Sequence, residues 1–186
     1  SLHDALPISP ANTSNPHTEA ADSSPSPESF ITTRGGLFYL LNFLALASAQ
    51  AILADDPAPG SGWRWLIRLA AGLGIEPDAP LADFLLAETG LPDAAALAAL
   101  PPLPDEARLL DLAARRYGAE VWQGARFLVP ARVLATASHV DLHFRLADVR
   151  LPVRQAGLDV NPGWLPWLGR VVSFHYGSPL APEFGP

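Results

Sequence analysis

The 186-residue chain contains no cysteine, and charged residues make up only 17% of it. Without cysteine there is no disulfide framework, no thiolate zinc or iron–sulfur site, and no cysteine nucleophile. Lysine is missing as well: all 12 basic residues are arginine. Together with the abundance of Ala, Leu and Pro, this reflects a GC-rich bacterial coding sequence rather than a physical adaptation. The net charge of -7 argues against a nucleic-acid partner for the chain as a whole. Motifs of nucleotide and acyl chemistry are lacking too. There is no Gly-x-Ser-x-Gly elbow, phosphate-cradling loop or dinucleotide fingerprint, and Gly60-Ser61-Gly62 reads as a turn. No repeat or heptad pattern appears. What remains is a 49% hydrophobic chain with 20 prolines and 14 glycines. That suits one ordinary domain with its own core and many turns.

The N-terminal stretch stands apart. Residues 1–8, SLHDALPI, look like the in-frame translation of a sequencing adapter of the kind left in metagenomic assemblies. Residues 9–29 are rich in Ser, Pro, Asn and Thr and hold no large apolar side chain, the composition of a disordered linker. A linker there implies a longer protein on its N-terminal side. The expected domain spans 30–177, and 178–186 reads as a flexible tail.

Residues 35–54 carry no charge, and three readings compete for them. A membrane span needs about this length, a signal peptide would use Arg34 and the small residues Ala49 and Ala51, and a buried helix accounts for Asn42, Ser48 and Gln50. The buried helix is preferred, because half of the stretch is small or polar and a polar segment precedes it. Short amphipathic helices follow. Residues 63–73 place Trp63, Leu66, Ile67 and Ala70 inward with Arg64 and Arg68 outward. Residues 79–89 bury Leu81, Phe84 and Leu85 and expose Asp83 and Glu88. Asp93 opens an Ala-rich turn, three prolines break the chain, and Asp105-Glu106 starts a helix that ends at Arg115-Arg116 and Gly118.

Beyond Gly124 the period becomes two. Residues 133–146 and 148–154 alternate, and 171–176 reads as a third strand, so the expectation is an antiparallel sheet with one buried face. The expected fold is α+β: an N-terminal helical subdomain of four to five helices packed on a small antiparallel β-sheet. Its core should include Leu37, Phe38, Leu41, Leu44, Trp65, Leu66, Phe84, Leu109, Leu112, Val140, Leu142, Phe144, Val149, Leu151, Val171 and Phe174. Charge divides between the halves. Residues 34–122 hold 6 Arg against 11 acids, and residues 123–176 hold 6 Arg against 3 acids. Docking of the halves on one another is the plain explanation, and a basic sheet face for an acidic partner is the functional one.

Two constellations could carry function. His139, Asp141 and His143 leave one face of a strand together, and His175 on a neighbouring strand could join them. Two or three imidazoles and a carboxylate suit zinc or non-heme iron, and so a metal-dependent enzyme. A solvated sheet face gives the same alternation, and Arg145 beside it would repel a cation. Ser138 and His139 are not the start of a triad, since neighbours on a strand face opposite ways. The second constellation is Trp164, Trp167 and Arg170 around Asn161-Pro162-Gly163. A helical turn there would put both indoles on one side, either as a lid on the sheet or as an interface.

Residues 32–44, TTRGGLFYLLNFL, and 156–176, AGLDVNPGWLPWLGRVVSFHY, resemble the C-terminal part of large bacterial proteins from extracellular contractile injection-system gene clusters. These are phage-tail-like particles, and the resemblance covers about residues 30–177. It implies a non-enzymatic structural, assembly or accessory domain acting by protein–protein contacts, with no catalytic residue and no cofactor. Its partners would be other injection-particle proteins or the N-terminal part of the same chain, not nucleic acid or membrane. The setting would be cytoplasmic and associated with the particle.

Overall fold

The structure, a computed structural model, describes residues 28–56 and 62–177. The adapter-like stretch, the tail and most of the 9–29 segment lie outside the described residues. Glu28 and Ser29 do not belong to a linker, however, but open strand β1 (Glu28–Thr32). Long-range contacts hold the strand there. Phe30 packs on Phe84 at 5.5 Å between ring centres. The Thr32 and Thr33 hydroxyls and the Thr33 N–H all donate to the Asp78 carboxylate, at 2.6–2.8 Å.

The uncharged run is buried over most of Gly35–Leu44, exposes one side of its second part, and is not one helix. A 3-10 turn (Gly35–Tyr39) runs into α1 (Leu40–Leu44), and α2 (Ala47–Leu53) leaves at 89° to that direction. Gln50 Nε2 donates to the Leu44 carbonyl at 2.6 Å, satisfying a backbone group that the bend frees. Among the described residues no single helix is long and apolar enough to cross a membrane. At Gly36 a side chain would meet the Phe127 carbonyl at 2.5 Å. Glycine therefore lets the Gly36 N–H reach the Val129 carbonyl at 2.9 Å.

Helices α3 (Gly62–Gly72), α4 (Ala79–Thr89), α5 (Ala94–Ala98) and α6 (Glu106–Tyr117) follow the spacing of their apolar residues. Asp93 caps α5 by accepting from the Ala96 N–H at 2.8 Å. Arg68 departs from expectation. It is buried, bonded to Asp56 at 2.5 Å and to the Pro102 carbonyl, with side chains only 4% and 2% exposed across the ion pair. Asp56 also accepts from Trp65 Nε1 at 2.9 Å, which ties α3 to the chain after α2.

The alternating stretch 133–146 resolves into a hairpin, β2 (Ala131–Ala135) and β3 (His139–Arg145). Residues 148–154 are not a strand. They form the end of a 3-10 turn (Leu146–Asp148) and helix α7 (Leu151–Gln155). Pro152 sits in the first turn of α7, where its fixed φ and missing N–H suit a helix and would have broken a sheet ladder. The buried residues are Val149 and Val153, a helical spacing, while Leu151 is 65% exposed rather than in the core. Strands β4 (Gly163–Leu165) and β5 (Arg170–Gly177) complete a sheet of order β1-β2-β3-β5-β4. The sheet is mixed, not antiparallel. β3 and β5 run parallel, because the connection carrying α7 returns the chain to the same end before β5 starts.

The molecule is α+β in class. Leu37, Phe38, Leu41, Leu44, Leu66, Phe84, Leu109, Val140, Leu142, Phe144, Val149 and Phe174 are buried as expected. Trp65 and Leu112 only rest against the core, and Val171 lies half-buried on the outer sheet face. Tyr39 was missed. It is fully buried, with its ring stacked on Phe144 at 4.8 Å and edge-on to Phe174 at 5.2 Å. Burial holds its phenol far above the ordinary range. Burial also pushes Tyr176 up to about 12, against a partial opposing effect of its hydrogen bond with Tyr39.

Two outcomes follow from the buried polar anchors. Removing one partner of the Arg68–Asp56 pair leaves an uncompensated charge, so Asp56→Ala should cost about 3–5 kcal/mol in urea unfolding. The double change Asp56→Leu with Arg68→Met should cost far less. At Asp78, burial alone would raise the carboxyl, but hydrogen bonds from Thr32 and Thr33 outweigh it and hold the pKa below the ordinary value. A depressed folded pKa stabilises above the unfolded value of about 3.9 and loses that stabilisation as pH falls through the lower folded value. The stability gap between the wild type and Asp78→Asn should therefore be constant at neutral pH and shrink below about pH 4.

Candidate functional site

The two constellations lie on or beside the outer face of the sheet. Inward positions of β3 are Val140, Leu142 and Phe144, so His139, Asp141, His143 and Arg145 point the other way. Parallel register sets His143 opposite His175, and the two rings stack 4.7 Å apart at 18°. His175 Nε2 donates to Asp141 Oδ1 at 2.9 Å. Three of the four candidate ligands are thus together. The fourth, His139, is turned to its neighbour, with Nδ1 2.8 Å from Ser138 Oγ.

The chemistry this arrangement offers is limited. In-plane nitrogen lone pairs on two nearly parallel, stacked rings do not converge on one ion, whereas zinc ligands must all lie within about 2.0–2.2 Å of it. Among the described residues no group of three or more His, Cys, Asp or Glu is disposed to hold a metal. The His175–Asp141 pair has side chains 48% and 35% exposed, and an ion pair so open to water is worth at most about 1 kcal/mol. Arg145 is turned to Asp148 at 3.4 Å.

The tryptophan loop divides its residues. Trp164 is not on a helical turn. It lies in β4 opposite Val171, and its side chain is among the most exposed apolar groups, at 58%. Trp167 sits in the tight turn after β4, rests against the core and stacks obliquely on Trp65 at 5.8 Å. It closes over Gly62, whose N–H donates to the Trp167 carbonyl at 3.2 Å, and a side chain at Gly62 would strike the indole. Arg170 is not a free interface cation. It is paired with Glu88 at 2.5 Å, with both side chains mostly buried. One tryptophan is therefore a lid, one is open, and the arginine joins the sheet to α4.

Two further features escaped the sequence. Of the five large apolar residues most exposed among those described, Leu146, Leu151, Val160 and Trp164 fall within residues 146–164. A helical reading of 148–154, signalled by Pro152, would have exposed Leu151. The second is a groove of about 570 Å³ on the helical side, between α3, α5 and the start of α6. Its walls are mainly aliphatic, and Arg68, Glu76 and Glu106 are the charged side chains that line it.

The lid assignment has a direct consequence. Trp167→Ala should lower stability by about 2–4 kcal/mol in chemical denaturation, within the range of large-to-small losses at packed positions. No protein-family model, curated protein or solved structure matches this chain.

Proposed function

We propose that this chain is a non-enzymatic contact domain, structural or accessory, of a bacterial contractile injection particle. The observation that carries the contact reading is Trp164. A large, rigid aromatic 58% open to solvent on a strand of three residues has no packing role to explain it, and such residues are enriched at interface hot spots. Around it, Pro162 and Pro166 stiffen the backbone and reduce the ordering entropy that binding would cost. The particle itself is proposed on the resemblance of residues 32–44 and 156–176.

In this reading the N-terminal helices form a subdomain of four to five helices that serves as scaffold, and the sheet and its connections carry the contacts. Partners are other proteins of the particle, or the N-terminal part of the same protein, met in the cytoplasm where such a particle would be built. The His139, Asp141, His143 and His175 face contributes hydrogen bonding to that surface rather than metal chemistry.

Trp164→Ala separates this role from a structural one. The variant should keep its thermal midpoint within about 3 °C of the wild type, as expected of a surface change. It should also lose capture of sheath, tube or baseplate proteins from cells expressing the particle genes, read by mass spectrometry. Undiminished capture, or a captured set without particle components, would overturn the proposal.

A further inference from the structure

The helical side and the β3–β5 connection carry surfaces of opposite shape and charge. On one side lies the groove, walled by Ile67, Ile75, Leu97 and Leu100, with Glu76 exposed in the loop after α3 and Glu106 at the first position of α6. Its third charged residue, Arg68, is already neutralised by Asp56, so the groove is acidic. On the other side Leu151 projects from the first turn of α7, 65% exposed, beside the exposed Arg150. Leu146, 48% exposed, precedes it on the same connection. Folding leaves the charge difference between the halves in place. Arg170–Glu88 bridges them, whereas Arg68–Asp56, Arg108–Asp105, Arg115–Asp111, Arg145–Asp148 and Arg154–Asp159 each fall within one half.

We infer that the groove of one copy receives the Arg150–Leu151 projection of a second copy, so that the chain associates head to tail. Leu151 fills the aliphatic groove, and Arg150 meets Glu76, with Glu106 in support. The charge of the groove argues for this occupant: the Glu76 and Glu106 carboxylates beside aliphatic walls complement an exposed arginine next to an exposed leucine. The contact is heterologous, joining different surfaces of identical chains, and such a contact builds rings or filaments rather than two-fold dimers. This inference rests on the contact-domain reading and names a partner for a different surface from Trp164.

Charge exchange tests it in the whole chain. Sedimentation velocity should show wild-type association that weakens as salt rises from about 0.05 to 0.5 M, as expected for partly exposed charges. Arg150→Glu alone faces Glu76, and Glu76→Arg alone faces Arg150, so each should weaken association by about tenfold or more. Mixing the two variants restores both opposite-charge contacts and should restore assembly. Leu151→Asp should abolish it. All these positions except Glu106 are exposed, and circular dichroism checks that each variant keeps its fold. A wild type that stays monomeric, or a mixture no more associated than its parts, would overturn the inference. Particle capture that still depends on Trp164 would in that case leave the contact-domain reading standing.

Discussion

The fold turns on one half-buried amide. Asn42 Nδ2 donates to the carbonyls of both Leu158 and Val160, each at 2.8 Å. Asn42 lies in the uncharged segment that runs beneath the sheet, and the two carbonyls lie in the connection between β3 and β5. Parallel pairing requires such a connection to return the chain along the sheet, and before β4 it has no strand partner. Its backbone groups need other donors, since a buried carbonyl left bare costs about 1–3 kcal/mol. Asn42 supplies two of those bonds, and Tyr176 donates to the Asp159 carbonyl at 2.6 Å between them. Asn161 Oδ1 then accepts from the Phe174 N–H at 2.5 Å, just before β4 begins to pair with β5 at Gly163. One short stretch of connection is thus sewn to the first helix and to the last strand.

That arrangement gives a physical reading of the two stretches that carry the resemblance. Residues 32–44 supply the threonines that hold Asp78, the Gly36 crossing, and Tyr39 and Asn42 at the centre. Residues 156–176 supply the accepting carbonyls, the Asn161 acceptor, the left-handed turns at Gly163 and Gly169 (φ +73° and +67°) and the Trp167 lid. Each stretch is explained largely by its contacts with the other or with the helix beside it. They are requirements of the fold before they are signs of any activity.

The helices were legible because each holds a local signal: an apolar spacing, the cap at Asp93, or the stop at Gly118. Outward and inward faces of β3 were legible for the same reason. What the sequence concealed was set at long range. Strand β1 has only five residues and a polar start, and its place is decided by Phe84 and Asp78 far along the chain. Residues 148–154 alternate by accident, and Pro152 was the local clue that outweighed the period. Arg68 shares a face with other polar positions by spacing alone, and only Asp56 and the Pro102 carbonyl draw it inward. Parallel pairing of β3 with β5 could not be read from alternation, which is identical for either direction.

The candidate sites divide along the same line. Spacing placed His139, Asp141 and His143 on one face, and register added His175, but spacing cannot say whether rings converge or stack. For the tryptophans, three-residue separation presumed a helical turn. In a strand followed by a tight turn the same separation sends one indole to solvent and the other onto Trp65. The prolines that flank β4 also shape its outer edge. They remove N–H donors where another strand would pair, so this short edge discourages continued sheet growth. A contact at Trp164 must then be made by side chains across the sheet face rather than by strand addition, and side-chain contacts of that kind leave partner choice to shape and charge.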